Sequence, residues 1–131
     1  MSKTVFDTRF FIEHYYSKDG EVLRKTKEEI RKTKERYVSA VVIHEVYRLT
    51  LEREGRETAI LRAGLLEKDF KVVDVDSEIA RSSAELRHKY RISLADSVVA
   101  ATGLSLGAVC LSDDPHLKAI EETKTQWIRL G

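Results

Sequence analysis

The chain has 131 residues, of which 42% are hydrophobic and 34% charged, a composition that predicts a soluble domain able to bury one core. It excludes a disordered chain, and no apolar run approaches the roughly 18 residues needed to cross a bilayer. Lys and Arg total 23 against 22 Asp and Glu, so any nucleic-acid binding must come from a local patch rather than from net charge.

Strand-like and helix-like segments alternate along the chain. The first half predicts a strand at residues 4–6, helices at 10–16 and 21–36, a brief strand at 37–39, and helices at 40–54 and 59–68. The second half predicts a strand at 70–75, helices at 77–89 and 93–106, a strand at 108–111, a short helix from Pro115 and a strand at 126–130. This order predicts an α/β fold, a three-layer α/β/α sandwich with a mostly parallel sheet. Without a repeat or linker in the sequence, residues 1–131 are expected to form a single domain.

Three further features concern the setting of the protein. The residues up to Asp7 lack the roughly 7-residue apolar core of a signal peptide, which predicts a cytoplasmic protein. The single cysteine, Cys110, lies in an apolar run and is expected to be a buried strand residue. The absence of Asn and the single Gln, together with many charges, are typical of proteins from thermophiles.

Acidic residues follow two of the predicted strands. Asp7 ends the first strand, and Asp113 and Asp114 follow the strand at 108–111. Open α/β sheets bind ligands in the crevice beyond the carboxyl ends of their strands, so these acids are expected to converge there.

Two more acids lie on predicted helices. Glu45 is on the apolar stripe of the helix at 40–54, where a buried carboxylate needs a cation, or else Arg48 or Arg9 as a partner. Asp96 follows Ser93 at the spacing of a capping box, which predicts a helix cap. The helix N-terminus also favours the charged carboxylate that binds a metal ion, so the two roles are compatible.

Four converging carboxylates would repel one another unless a cation lay between them. Oxygen ligands, without a nearby cysteine or a histidine pair at ligand spacing, favour Mg²⁺ or Mn²⁺ over Zn²⁺. Such ions orient a phosphate, activate water and neutralise the leaving oxygen. The sequence therefore predicts a metal site suited to phosphodiester hydrolysis.

Four short motifs make the sequence resemble the PIN-domain family, in particular the toxins of VapBC toxin–antitoxin pairs. The motifs are VFDT at 5–8, SAVVIHE at 39–45, LADSVVAAT at 94–102 and LSDD at 111–114, and together they span nearly the whole chain. The resemblance implies an endoribonuclease that depends on Mg²⁺ or Mn²⁺, forms a homodimer and is inhibited by a small antitoxin.

The resemblance also implies roles for individual residues. Asp7, Asp96 and Asp114 would be catalytic metal ligands, Glu45 would contribute through water, Thr8 and Ser112 would support the site, and Asp113 is the runner-up ligand.

The sequence departs from the family pattern at two positions. Arg9 replaces a small polar residue after Asp7 and Thr8, where it could contact phosphate or obstruct the site. His116 lies where the family often has another Asp, and could be an outer-shell group or, as we favour, a surface residue. A surplus of basic residues at 18–36 could touch RNA, although a solvated helix face is the simpler interpretation.

Two other functions remain open. A PIN fold could bind RNA or protein without cutting, although retention of all four acids argues against a catalytically silent module. A phosphate-handling regulatory domain would need an acid pair directly after the first strand, where this chain has only Asp7.

Overall fold

The computed structural model describes residues 3–128, apart from the side chain of Trp127. Its strands are β1 (Lys3–Phe6), β2 (Glu35–Ser39), β3 (Lys71–Val73), β4 (Val109–Ser112) and β5 (Lys124–Trp127). Its helices are α1 (Thr8–Tyr16), α2 (Gly20–Lys32), α3 (Ala40–Glu54), α4 (Arg56–Asp69), α5 (Ser77–Tyr90), α6 (Leu94–Leu106) and α7 (Pro115–Lys118).

The strands form one parallel sheet in the order β3-β2-β1-β4-β5. Phe6 lies opposite Leu111, so β1 and β4 reach the carboxyl-end edge of the sheet together. The chain leaves β1 for β2 on one side and later returns to β4 on the other, which makes the gap between β1 and β4 a topological switch point. The helices flank this sheet, and the predicted α/β/α sandwich is confirmed.

The core lies around the central strands and α6. Val5, Phe6, Val38 and Leu111 have no exposed surface, and residues 97–103 of α6 are all buried. Small residues let α6 approach the sheet closely: a Cβ atom on Gly103 would lie 2.7 Å from the Sγ atom of Cys110.

Cys110 is the buried strand residue that the sequence predicts. Burial raises the pKa of its thiol to about 12, so the sulfur stays protonated and behaves as a small apolar group.

Several element boundaries differ from the sequence prediction. The helix predicted at 21–36 ends at Lys32, because residues 35–37 pair with β1 as the start of β2. β3 is shorter than predicted, at Lys71–Val73. The last strand begins earlier, at Lys124, and positions 129 and 130 of the prediction lie outside the described residues.

Helix α4 leaves much of its apolar surface uncovered. Leu66 is buried, whereas Ile60, Leu61 and Leu65 are 47%, 65% and 49% exposed. A group of large aliphatic side chains in water is typical of a surface that contacts another molecule. Among the described residues, no helix is both long and apolar enough to cross a membrane.

Candidate metal-binding site

Asp7 is the most deeply buried acid at the carboxyl-end edge of the sheet, with 4% of its surface exposed. It follows β1 directly and occupies the N-cap position of α1. Its carboxylate accepts a hydrogen bond from Ser112 Oγ at 2.6 Å. Burial raises the pKa of Asp7 to about 7; the Ser112 hydrogen bond lowers it, and the charges of Asp96 and Asp114 raise it further.

Ser112 connects Asp7 to the next acid along the site. This buried residue ends β4, and while its hydroxyl donates to Asp7, its oxygen accepts from the backbone N–H of Asp114 at 2.9 Å. Asp114 in turn caps α7 by accepting from the N–H of His116 at 2.9 Å. The hydroxyl thereby fixes the turn that carries Asp114 beside Asp7.

Asp96 and Asp114 meet across the site. Asp96 is in the first turn of α6, where its N–H donates to Ser93 Oγ at 3.1 Å, as the capping pattern predicts. Burial raises the pKa of Asp96, as does the charge of Asp114. Within residues 3–128, ligand atoms of Asp96, Asp114 and His116 lie within 4.8 Å of one another, which brings a nitrogen donor into reach of the same ion.

Glu45 approaches the site from α3. Its carboxylate accepts a hydrogen bond from Thr8 Oγ1 at 2.5 Å, and its charge contributes to the raised pKa of Asp96. The arginine partners considered from sequence bind elsewhere: Arg48 pairs with Glu52, and Arg9 pairs with Asp113. The hydroxyl of Thr8 therefore holds Glu45 toward the other acids without neutralising it.

Asp113 has a different partner from Asp114. It is buried, and its Oδ1 accepts from Nε of Arg9 in an ion pair. Of the two consecutive acids, Asp114 lies with Asp96, and Asp113 pairs with Arg9.

His116 lies at the surface, as we favoured from the sequence, but it also contacts the site. The side chain is 73% exposed, yet its Nδ1 lies 3.3 Å from Asp114 Oδ1. The capping pattern accounts for the bond from the backbone N–H of His116 to Asp114, but it does not predict the position of the imidazole. Arg9 gave no comparable signal for its pairing with Asp113.

The donor set fits a divalent cation. The carboxyl groups of Asp7 and Asp96 both have raised pKa values, caused by burial and by neighbouring acids. A cation among these oxygens removes that repulsion and favours the charged carboxylates. Carboxylate oxygens are the ligands that Mg²⁺ and Mn²⁺ prefer, and an imidazole nitrogen is a ligand that Mn²⁺ accepts more readily than Mg²⁺.

Comparison with known families identifies the fold that carries this site. Residues 4–122 match the model of the PIN domain. The chain belongs to the PIN domain family. The match covers the first strand of this PIN domain, all four acids and His116. No curated protein matches the sequence significantly.

Solved structures with the PIN fold resemble the chain over nearly its full length. A chain of DNA-bound VapBC from Salmonella typhimurium has a TM-score of 0.76 and 15% identity, covering 96% of this chain and 98% of that chain. A chain of VapBC2 from Rickettsia felis, bound to a promoter DNA fragment, has a TM-score of 0.77 and 11% identity, covering 96% and 98%. VapC20 of Mycobacterium tuberculosis, described as a sarcin–ricin loop cleaving toxin, has a TM-score of 0.74 and 20% identity, covering 93% and 99%. At such identities the likeness shows a shared fold.

Proposed function

We propose that this PIN domain is an endoribonuclease that depends on Mg²⁺ or Mn²⁺ and forms the toxin component of a toxin–antitoxin pair. The observation that carries the proposal is the buried carboxyl of Asp7, whose pKa is raised to about 7 beside Asp96 and Asp114. Asp96 and Asp114 present ligand atoms within 4.8 Å of each other beside this buried acid, and perturbed acids that converge in this way are typical of catalytic sites.

The residues of the site would have three different roles in binding the ion. Asp7, Asp96 and Asp114 would bind it directly, Glu45 would act through water, and Thr8 and Ser112 would keep two of these carboxylates oriented. When bound, the divalent ion supplies a polarised phosphate and a water of lowered pKa. Ser112 contributes by holding Asp7 and the Asp114 turn at one spacing, which keeps the ligands preorganised.

RNA as the substrate follows from the family and from its relatives. VapC20 is described as cleaving the sarcin–ricin loop, which is RNA. In this chain Asp96 and Asp114 are half-buried and His116 is exposed, so the proposed site reaches the protein surface. We also propose a cytoplasmic site of action.

The proposal includes protein partners. Matching structures include toxin–antitoxin complexes from Klebsiella pneumoniae and Salmonella typhimurium. The exposed side chains Ile60, Leu61 and Leu65 of α4 offer an apolar surface for a protein contact. We infer that this chain forms a homodimer and binds a small antitoxin.

The test is cleavage of a labelled single-stranded RNA by purified protein in Mg²⁺, Mn²⁺ or EDTA. Asp96→Asn should lower the rate by more than about 100-fold, because loss of a direct ligand should exceed the 10- to 100-fold cost of losing a supporting group. Asp69→Asn is the matched control, since Asp69 ends α4 and is exposed, and it should keep the wild-type rate.

Three outcomes decide between the candidate functions. Cleavage that stops in EDTA and in Asp96→Asn supports the proposal. Activity that persists in EDTA, or that survives both Asp7→Asn and Asp96→Asn, contradicts the metal mechanism. Wild-type protein that neither binds Mn²⁺ nor cuts RNA is the catalytically silent module considered from the sequence.

A further inference from the structure

Arg9 and Asp113 form an ion pair at the rim of the metal-binding site. Arg9 donates from Nε to Oδ1 of Asp113. The arginine side chain is 45% exposed, whereas that of Asp113 is 5% exposed. A buried carboxylate therefore holds an arginine whose outer part faces solvent.

The topology brings this pair next to the metal ligands. Asp7 directly follows β1, and Arg9 comes two residues later, in the first turn of α1. Asp113 and Asp114 follow β4, which is the parallel neighbour of β1. Asp113 has the largest effect in raising the pKa of Arg9, and the charges of Glu13 and then Asp114 raise it further, so the guanidinium lies within electrostatic reach of a proposed ligand.

The pairing leaves the end of the guanidinium available. Asp113 engages Nε, and within residues 3–128 neither Nη1 nor Nη2 of Arg9 donates a hydrogen bond. Two parallel N–H donors on one planar group match two oxygens of a phosphate. The anchored Nε limits rotation of the side chain, which lowers the entropy that binding would cost.

The charge of the site favours such a donor. Five carboxyl groups surround the approach, those of Asp7, Glu45, Asp96, Asp113 and Asp114. A single metal ion offsets two negative charges, so the phosphate of an incoming RNA still meets a negative surface. Arg9 brings a permanent positive charge to these acids through its ion pair with Asp113.

We propose that Arg9 binds a phosphate oxygen of the RNA through Nη1 and Nη2, and that Asp113 is the positioning residue that orients it. This inference rests on the proposed ribonuclease function. Of the two roles considered from the sequence, Arg9 would contact phosphate and would not obstruct the site.

The experiment compares wild type, Arg9→Gln and Arg9→Lys in cleavage of a labelled single-stranded RNA at subsaturating concentration over a series of KCl concentrations. Arg9→Gln should lower kcat/KM by about 10- to 100-fold, as expected for one charge-assisted contact. It should also reduce the slope of log kcat/KM against log [KCl] by about 0.7, the contribution of one phosphate contact to a single strand. Mn²⁺ affinity, measured by calorimetry without RNA, should remain at the wild-type value.

Arg9→Lys tests the geometry of the contact in a protein that keeps the charge beside Asp113. An ammonium can pair with Asp113 but cannot also present two parallel donors, so this variant should fold normally and still lose kcat/KM. If Arg9→Gln does not fold, Arg9→Lys provides the test. A wild-type rate in Arg9→Lys overturns the proposal. A loss of kcat/KM with unchanged Mn²⁺ affinity supports it. Arg48→Gln is the matched control, because Arg48 forms an exposed pair with Glu52 and should change neither rate nor slope.

Asp113 is tested through a double-mutant cycle. Asp113→Asn should lower kcat/KM in the wild-type background and have no further effect in Arg9→Gln, because it acts through Arg9. Additive losses would overturn its role as a positioning residue.

The failures are distinguishable. Wild-type protein that does not cut RNA removes the proposed function and the Arg9 proposal together. Wild-type cleavage with an unchanged rate and salt slope in Arg9→Gln removes only the Arg9 proposal. Equal losses of Mn²⁺ affinity and activity in Arg9→Gln would mean that Arg9 supports the metal site, and would also overturn it.

Discussion

The two edges of the sheet use charge in opposite ways. At the amino-end edge, Arg36 near the start of β2 donates to the backbone carbonyls of Asp69, Ile30 and Thr33, each at 3.0 Å. These carbonyls lie at the ends of α2 and α4, where the helix leaves acceptors without partners. At the carboxyl-end edge, Asp7 is buried beside other acids, and its pKa is raised to about 7.

The charge of Arg36 stabilises the fold, whereas the charges of Asp7 and Asp96 lower its stability. Arg36 donates to backbone carbonyls that need a hydrogen-bond partner at the helix ends. Asp7 and Asp96 are surrounded by groups that disfavour their charged forms. Residues that weaken a fold at a cleft are expected where function requires them. Three variants test this contrast.

The largest effect is expected for Asp7→Asn in metal-free buffer. Asp7 binds its proton more tightly in the folded protein than in the unfolded chain, because its pKa rises from 3.8 to about 7 on folding. Its contribution to wild-type stability is therefore fully present below pH 3.8, declines as pH rises through the interval up to about 7 and is lost above it. Asp7→Asn should match wild type in acid and exceed it at pH 8 by at most about 4 kcal/mol, measured by urea unfolding.

Mn²⁺ supplies the complementary measurement for the same variant. The ion should stabilise wild type at pH 8 and stabilise Asp7→Asn less, because binding favours the folded state in proportion to affinity. An Asn variant that is less stable than wild type across the whole pH range would show that the Asp7 carboxylate serves the fold, and would remove the contrast.

The second variant, Arg36→Met, addresses the opposite edge. Loss of a charged donor from three carbonyls should lower the free energy of unfolding by about 2 kcal/mol, while RNA cleavage stays at the wild-type rate. Arg48→Met is the control, since Arg48 is 70% exposed and pairs with Glu52, and it should change stability by less than about 0.5 kcal/mol. An activity loss in Arg36→Met at full stability would mean that the amino-end edge also serves function.

Much of the fold could be predicted from the sequence because its signals are local. Ser39 caps α3 and Gly55 ends it, as the N-cap and glycine patterns predict. The end of α2 could not be predicted locally: residues 33–36 have the charged composition of the helix before them, and only pairing with β1 makes part of them a strand. β3 is short for a similar reason, since its bounds depend on pairing with β2.

The candidate site was predictable to a similar degree. Asp7 and Asp114 follow neighbouring strands, so topology alone brings them together. The partner of each side chain depends on rotamers and packing that the sequence does not show. Thr8 and Arg9 are consecutive in α1, yet Thr8 binds Glu45 and Arg9 binds Asp113.

The smallest expected effect concerns His116 and the choice of metal. Its ligand atom lies within 4.8 Å of those of Asp96 and Asp114. An imidazole nitrogen suits Mn²⁺ better than Mg²⁺, which prefers oxygen ligands and retains its waters. His116→Gln should therefore lower Mn²⁺ affinity by about tenfold, or roughly 1.4 kcal/mol, and leave Mg²⁺ affinity near the wild-type value, both measured by calorimetry.

His88→Gln is the control for the histidine variant, because His88 is exposed on α5 and should alter neither affinity. Equal losses for Mn²⁺ and Mg²⁺ would mean that His116 acts by holding Asp114, through the contact of 3.3 Å to Oδ1, and does not bind the ion. Retention of both affinities would make His116 a surface residue, and the carboxyl-end edge would then bind its metal through oxygen ligands.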